Sequence, residues 1–359
     1  MDSWQSGGSC MRLLGRQRRS RVCVAAVVLL GFVWIGCGPL LYSVRAGWGG
    51  YRVVRGGRPI VELLEDEKLD PRLRLQLETA VEIRSFAVDS LGLPDNGSFR
   101  RYRDLDRQFA VWTVVAAPEF SLEPRIWCFP VAGCVSYRGY FSPERAEQYG
   151  RTLRHRGFDV GVRGVSAFST LGRFRDPILN TFIFRSPSLL AELMFHELAH
   201  QVAYVRDDTS FNEAFASFVA QQGVLAYLRQ TRQPAELEVF RRSRQREQAS
   251  MELLLASRER LAALYRSPLP DAEMRIRKQR EFSGLEQRLA QQAGGGTRAL
   301  NNADLAAIDA YSRRIPAFEA LFRHSGEDFE RFFARVRELA GLERTERDRR
   351  LVDLGEAVP

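Results

Sequence analysis

Residues 196–200 read His-Glu-Leu-Ala-His, and this motif constrains the fold more than any other feature of the chain. Histidines four residues apart share one face of an α-helix, so both imidazoles reach one point only if the segment is helical. The chain holds only four histidines, which makes this spacing informative. We predict a buried helix from Pro187 to Arg206, because the flanking residues are apolar: Leu189, Leu190, Leu193, Met194, Phe195, Ala199 and Val202.

The same motif is typical of a catalytic zinc centre. Such a centre uses three protein ligands and keeps a fourth position open. His196 and His200 would supply two ligands, while Glu197 lies beside them without binding the metal. As general base, Glu197 can take a proton from water and pass it to a leaving amine. The motif therefore predicts a hydrolase with one Zn2+ per chain, and the alternative is an amphipathic helix with two incidental histidines.

The third ligand that we predict is Glu213. A break at residues 207–210 separates the motif helix from a second predicted helix at residues 211–229. An antiparallel return of the chain would bring Glu213 alongside His200. Two histidines and one glutamate form a common catalytic zinc set.

Two other interpretations of this region stay open. Ser210 and Glu213 have the spacing of a capping box, in which the glutamate only closes the start of its own helix. Asp207 and Asp208 are further acidic candidates, as ligands, as turn formers or as partners that orient an imidazole.

The N-terminal segment predicts export and membrane attachment. Five arginines among residues 12–21 precede the apolar run Val22–Ile35, which is the order of a secretory signal. Cys37 follows a small residue directly after this run and resembles the lipidated cysteine of bacterial lipoprotein signals. The alternative is an uncleaved anchor over Val22–Tyr42, which is long enough to span a bilayer. Either route places the rest of the chain in the periplasm or outside the cell.

The remaining cysteines agree with an exported protein. After Cys37 only Cys128 and Cys134 follow, with Pro130 and Gly133 between them to form a bend. An oxidising compartment favours a disulfide between them. Two buried free thiols are the alternative, and a structural zinc site is less favoured because no second cysteine pair completes four ligands.

Periodicity and composition predict an α+β protein in which a small mixed sheet precedes a mostly helical second half. Apolar residues make up 45% of the 359 residues, enough for a packed core. We divide the chain into a signal or anchor (1–37), a glycine-rich linker (38–58), a catalytic core (59–232) and a helical C-terminal region (233–359). Predicted strands lie at 108–116, 134–140, 158–168 and 181–185, and predicted helices at 59–91, 144–156, 236–265, 272–292 and 302–341.

The net charge of +9 does not predict nucleic-acid binding. A nucleic-acid-binding protein would show a basic stripe with interleaved aromatic residues. The arginines of this chain are scattered, apart from the cluster before the apolar run. We therefore expect peptides and a membrane as partners, and no nucleic acid.

The two motifs resemble those of known metallopeptidases. The sequence Phe-Asn-Glu-Ala-Phe-Ala-Ser-Phe at residues 211–218 resembles that of gluzincins, whose third zinc ligand is the glutamate of an Asn-Glu pair on the following helix. From about residue 50 to 230 the chain also resembles the bacterial putative aminopeptidase family, whose members are often predicted lipoproteins. This wider resemblance rests on the zinc motifs together with residues 117–124, 127–141 and 169–172.

The resemblance implies a zincin-like fold and an aminopeptidase. His196, His200 and Glu213 would be the ligands and Glu197 the base. An exopeptidase also needs a carboxylate for the free amine of its substrate and a donor for the oxyanion. The candidates are the carboxylates of Glu119 and Glu123 and the hydroxyls of Tyr137, Tyr140 and Tyr204. The segment 167–171 is a candidate edge strand for pairing with a substrate backbone.

Two other functions remain open on the sequence alone. One is a zinc endopeptidase that acts on proteins of the cell envelope. The other is a lipoprotein that binds zinc without catalysis, although such a protein has no need of a base at the position of Glu197.

Overall fold

The computed structural model describes residues 42, 44–129, 133–167, 170, 174–293, 299–306, 308 and 314–356. The chain forms two compact units, Met1–Gly49 and Gly50–Pro359. In the first unit the described residues are helical. The predicted signal or anchor with Cys37 lies outside the described residues. None of the helices in the described ranges has both the length and the apolar character needed to cross a membrane.

The second unit is an α+β structure, as predicted. Between residues 60 and 232, the described part of this unit has the helices α1 (Ile60–Leu64), α2 (Pro71–Asp89), α3 (Pro143–Arg154), α4 (Pro187–Ala199) and α5 (Thr209–Gln230). The helical second half contains α6 (Pro234–Tyr265), α7 (Asp271–Ala293), α8 (Asn302–Ala306), α9 (Ile315–His324), α10 (Phe329–Ala340) and α11 (Arg344–Glu356).

Local sequence explains where several helices begin. Proline occupies the first turn of α2, α3, α4, α6 and α9, where its missing N–H is not needed. An oxygen of the preceding side chain accepts a bond from the first turn of four helices. These caps are Asp70 of α2, Ser142 of α3, Asp208 of α5 and Asp328 of α10.

The structure has a helix within the C-terminal part of the predicted linker. Residues 50–54 are helical, and Val53 is only 2% exposed within the main core. The glycines on both sides of it led to the prediction of a linker or membrane-proximal turn. Burial of this apolar side chain stabilises a helix that local propensity alone disfavours.

Three small sheets occur among the described residues, where one mixed sheet was predicted. The first contains β1 (Arg58–Pro59), β2 (Arg101–Arg103) and β8 (Ile178–Leu179), with β2 antiparallel to β1 and parallel to β8. In the second, β3 (Val111–Pro118) pairs antiparallel with β6 (Arg138–Tyr140) and β7 (Phe158–Val165). The third is the hairpin of β4 (Trp127–Phe129) and β5 (Gly133–Val135).

The strand predicted at residues 181–185 is wrong, because β8 ends at Leu179 and residues 180–184 form a turn. The Asn180 side chain accepts a bond from Leu105 N at 2.9 Å and donates one to Arg107 O at 3.2 Å. Ile183 then bonds back to Leu179 O at 3.1 Å. Apolar residues here are buried in a turn rather than in a strand.

Helix α4 lies in the centre of the main core. Six of its residues are fully buried: Leu190, Ala191, Met194, Phe195, Leu198 and Ala199. Helix α5 packs against it closely, because a methyl group at Gly223 would lie 2.8 Å from the ring of Phe195. This packing holds the two predicted ligand helices side by side.

The core continues past residue 232, where the sequence predicted a boundary. Phe211, Phe215 and Phe218 of α5 pack in one cluster with Phe318 of α9 and Phe332 of α10. Ring centroids of Phe211 and Phe318 are 5.3 Å apart. Burial of each such side chain contributes about 1.5–3 kcal/mol. The last three helices are therefore part of the same core as the motif helix.

Helices α6 and α7 pack against each other and against the loop after β3 through a separate apolar cluster that includes Leu122, Leu261 and Phe282. Charged groups fix this arrangement. Lys278 of α7 lies 2.6 Å from Asp159 of β7, and both side chains are mostly buried. Arg275 pairs with Glu119 at the end of β3.

Candidate metal centre

The motif helix ends at Ala199, earlier than the sequence predicted, and His200 is its C-cap. Residues 200–208 form the connection to α5, whereas the prediction continued the first helix to Arg206. Val202 N bonds to Ala199 O at 2.9 Å, which tightens the last turn. Further on, the side-chain amide of Asn212 bonds to both backbone groups of Val205. These bonds replace those that a longer helix would have formed.

Helix α5 is capped by Asp208, and this removes the capping-box interpretation of Glu213. Asp208 Oδ1 accepts a bond from Phe211 N at 3.1 Å, and the helix starts at Thr209. Ser210 thus lies inside the helix rather than at its N-cap. Glu213 lies in the second turn and is not needed to start the helix.

Three side chains meet between α4 and α5. The Nε2 atoms of His196 and His200 are 3.2 Å apart. Glu213 Oε2 lies 3.3 Å from His196 Nε2, and its Oε1 lies 3.7 Å from His200 Nε2. Each residue offers one ligand atom, and these atoms lie within 4.8 Å of one another. The three residues predicted as ligands are therefore together, on the two helices that were expected to carry them.

The site is partly shielded from solvent. The His200 side chain is 6% exposed, while those of His196 and Glu213 are 23% and 20% exposed. Burial lowers the pKa of His200 to about 4, against the opposing charge of Glu213. Burial also opposes protonation of His196, but its hydrogen bond to Glu213 and the charge of Glu197 raise its pKa overall. Neutral imidazoles and a carboxylate are the forms that bind divalent metals.

Two acidic residues that were alternative ligands have other roles. Asp207 accepts a bond from Cys134 N at 2.5 Å, so it holds the β4–β5 hairpin. Asp208 caps α5 and pairs with Arg314 and Arg347. Neither carboxylate belongs to the group that His196, His200 and Glu213 form in the described part of the chain.

Cys128 and Cys134 form a disulfide in the structure. They are directly opposite each other in the β4–β5 hairpin. The hairpin contacts the connection between the two ligand helices, where Gly133 lies against Asp207 and Arg206. The disulfide thus closes a loop that supports this connection.

The candidate carboxylates for a substrate amine are not at the metal centre. Arg275 binds Glu119 through two hydrogen bonds of 2.6 and 2.9 Å and lowers the pKa of its carboxyl group. Glu123 is exposed in the loop after β3, and its backbone N bonds to Ser121 Oγ. Glu119 therefore fastens α7 to the sheet.

Among the candidate tyrosines, Tyr204 is next to the candidate ligands. Its ring centroid lies 6.5 Å from that of His200, and its side chain is 39% exposed. Tyr140 packs against Tyr149 in the second apolar cluster, with centroids 5.8 Å apart. Tyr137 is 42% exposed between β5 and β6. The segment 167–171 lies mostly outside the described residues, and β7 ends before it, at Val165.

Sequence reasoning missed two features near the candidate metal centre. Glu192 lies one turn before His196 on the same face of α4 and pairs with Arg244 of α6 at 2.9 Å. The four-residue spacing to His196 was a usable signal. Asp208 is bound by arginines about 100 and 140 residues later, and no local pattern indicates such contacts.

Comparison with known proteins gives one match. No curated protein and no solved structure matches the chain. One family's sequence model matches residues 41–351, which include the metal centre and nearly all of the C-terminal helices. The chain therefore belongs to the family described as "Putative aminopeptidase".

Proposed function

We propose that the protein is a zinc-dependent aminopeptidase with a zincin-like catalytic core. The observation that carries the proposal is the convergence of His196, His200 and Glu213. Ligands 2.0–2.1 Å from a tetrahedral zinc ion are separated by about 3.3 Å. The two imidazole Nε2 atoms are 3.2 Å apart, Glu213 Oε2 lies 3.3 Å from that of His196, and Glu213 Oε1 lies 3.7 Å from that of His200. Both histidines and the carboxylate are therefore close enough to share one zinc ion.

Glu197 is the proposed general base. When bound, zinc polarises a substrate carbonyl and lowers the pKa of water. Glu197 follows His196 directly and is partly exposed, so solvent and substrate have access to its carboxylate. It takes the proton of the attacking water and passes it to the amine that leaves. A structural metal site has no use for such a base.

Tyr204 is the proposed donor to the developing oxyanion. It lies beside His200 and is exposed, whereas Tyr140 is packed away from the ligands. A phenol O–H that donates more strongly in the transition state than to the bound substrate accelerates the reaction.

Glu192 is the proposed acceptor for the free amine of the substrate. Both candidate carboxylates pair with an arginine, but Glu119 lies after β3 against α7, while Glu192 lies one turn from His196 on the ligand-bearing face. Helix α6 reaches α4 here, since Ser188 also donates a bond to Glu236 at 2.5 Å. A peptide substrate whose N-terminus lies against α6 would present its ammonium group to Glu192. The proposed substrates are accordingly peptides with an unblocked N-terminus.

We also propose that residues 1–37 export the chain and attach it to a membrane, with the catalytic unit in the periplasm or outside the cell. The order of arginines, apolar run and Cys37 supports this. Palmitate labelling that is present in the wild type and lost in Cys37→Ala supports lipidation. Absence of label in the wild type leaves the uncleaved anchor.

The decisive experiment measures bound metal and peptidase activity in the wild type and in Glu197→Gln. We expect about one zinc per chain in both proteins, and a loss of activity of 100-fold or more in the variant. Glu213→Ala should lose zinc as well as activity. A wild type without metal under saturating supply, or near-full zinc with normal activity in Glu213→Ala, contradicts the proposed centre.

Substrate class is tested with aminoacyl fluorogenic substrates beside a library of N-acetylated peptides. Cleavage of the free-amine substrates alone is expected. Cleavage of only the acetylated peptides indicates an endopeptidase. Bound zinc without any cleavage indicates a non-catalytic zinc protein.

A further inference from the structure

The carboxylate of Asp208 is bound by arginines from two C-terminal segments. Oδ1 accepts a bond from Arg314 Nη1 at 2.9 Å, in addition to that from Phe211 N. Oδ2 accepts bonds from Arg347 Nε at 3.1 Å and Nη2 at 2.8 Å. The side chains of Asp208 and Arg347 are 1% and 4% exposed, so these bonds form out of water. The start of α5 is therefore fixed to residues near the end of the chain.

Arg314 is also bound to the helix that carries Arg347. Arg314 directly precedes α9, and its Nη2 bonds to Asp348 of α11 at 2.6 Å. Arg347 donates from Nη1 to Leu342 O at 2.7 Å, and its guanidinium lies 5.5 Å from the ring centroid of Phe211. Although burial opposes it, the charges of Arg314 and Arg347 and the bond from Phe211 N lower the pKa of Asp208. The network holds Asp208 in its ionised form.

Helix α5 carries its ligand on the face opposite these contacts. Phe211 and Phe215 pack on Phe318, with ring centroids 5.3 and 5.8 Å apart. Glu213 is two residues from each of them, which is about 200° of helical rotation. One face of α5 thus points to the histidines and the other rests on the C-terminal helices.

The supported N-cap lies close to Glu213 along α5. Glu213 is five residues from Asp208, so fixing the N-cap fixes the turn from which its side chain projects. Metal–ligand distances tolerate deviations of only about 0.2 Å. Buried ion pairs are weak sources of stability, and apolar replacements of such pairs are often neutral. Stability alone therefore does not account for two arginines on one buried carboxylate, of which Arg347 is itself buried.

We infer that Arg347 and Arg314 are positioning residues for the third metal ligand, acting on Glu213 through Asp208. The inference rests on the proposed function, because it assumes that Glu213 binds zinc. It makes the C-terminal helices a working part of the metal centre rather than an accessory domain. A family match that extends to residue 351 is in line with such a role.

The test compares Arg347→Met with Leu351→Ala in the full chain. Leu351 is one turn further along α11 and is 3% exposed in the same core. Both variants should lower the melting temperature. Arg347→Met should in addition weaken zinc binding about 10- to 100-fold, as loss of outer partners of metal ligands does. Leu351→Ala should bind zinc within about twofold of the wild type, measured by chelator competition below both melting temperatures.

Arg347→Lys should recover part of the zinc affinity, since it restores the charge but not the two-bond geometry. If Arg347→Met does not fold, Arg314→Gln replaces it, because that change leaves the Arg347 pair intact. Unchanged zinc affinity in a destabilised Arg347→Met or Arg314→Gln overturns the inference and leaves the proposed function standing. A wild type that binds no zinc overturns both.

Discussion

Asn212 and Val205 are joined by two hydrogen bonds of 2.7 Å. The side-chain oxygen of Asn212 accepts from Val205 N, and its side-chain nitrogen donates to Val205 O. Asn212 is 2% exposed and directly precedes Glu213. The connection between the ligand helices is therefore closed by a side chain that is adjacent in sequence to a proposed ligand.

Asn212→Ala should destabilise the protein by about 1–3 kcal/mol, because both backbone groups of Val205 lose their partner. Thr231→Ala is the matched control, since Thr231 is exposed at the other end of α5, where its hydroxyl donates to Tyr227 O and accepts from Gln233 Nε2. The control should lose less than about 1 kcal/mol. Chemical denaturation of both variants measures the difference, and equal losses contradict the assigned role of Asn212.

Gly133→Ala should destabilise the protein more than Gly157→Ala. Both glycines have positive φ, +74° and +80°, and strain of about 1–2 kcal/mol is expected for any side chain there. A methyl group at Gly133 would also collide with the carboxylate of Asp207, whereas nothing lies within 4 Å of one at Gly157. Thermal unfolding of the two variants measures the contribution of the collision. Equal melting temperatures mean that the hairpin does not press on Asp207.

Local patterns predicted the elements that carry the site. The helical spacing of His196 and His200 and the antiparallel return of the chain were sufficient to bring Glu213 to them. The predicted start of α5 at residue 211 was slightly too late. The N-cap of the helix is therefore Asp208 rather than Ser210. Ser, Thr, Asp and Asn all favour this position, so a run of them does not identify the cap.

Tertiary contacts determine the features that local sequence patterns did not predict. Phe182 and Ile183 are buried like strand residues, yet Asn180 holds them in a turn. Arg347 lies 139 residues from Asp208, and a pairing at that distance leaves no periodic trace. For the same reason the boundary predicted after residue 232 divides residues that share one core.

Glu192→Gln should raise KM for free-amine substrates about 10- to 100-fold, because one charged hydrogen bond to the ammonium group is lost. The value of kcat should change little if the bond is equally strong in the bound substrate and the transition state. Zinc content should stay at the wild-type level. Glu119→Gln is the control, since Glu119 is bound by Arg275, and its KM should not change. A KM that is raised in Glu119→Gln but unchanged in Glu192→Gln would assign the binding of the substrate amine to Glu119.

The two histidines should titrate far apart in the metal-free protein. Burial lowers the pKa of His200 to about 4, while Glu213 and Glu197 raise the pKa of His196 above its ordinary 6.5 against the effect of burial. Zinc must displace the proton of His196, so its affinity should fall about tenfold for each pH unit below that raised pKa. Chelator competition across the pH range measures this slope.

The raised pKa of His196 also determines how the stability of the metal-free protein depends on pH. The pKa of His196 is higher in the folded state than in the unfolded state. Its contribution to the stability of the metal-free protein is therefore complete at a pH below the unfolded-state pKa, and it is lost as the pH rises through the folded-state pKa. Only four histidines occur in the chain, so their ring signals can be followed separately by NMR. In Glu213→Gln the pKa of His196 should fall, because the carboxylate that raises it is gone. Titration of His196 and His200 together near 6.5 contradicts the geometry on which the metal centre depends.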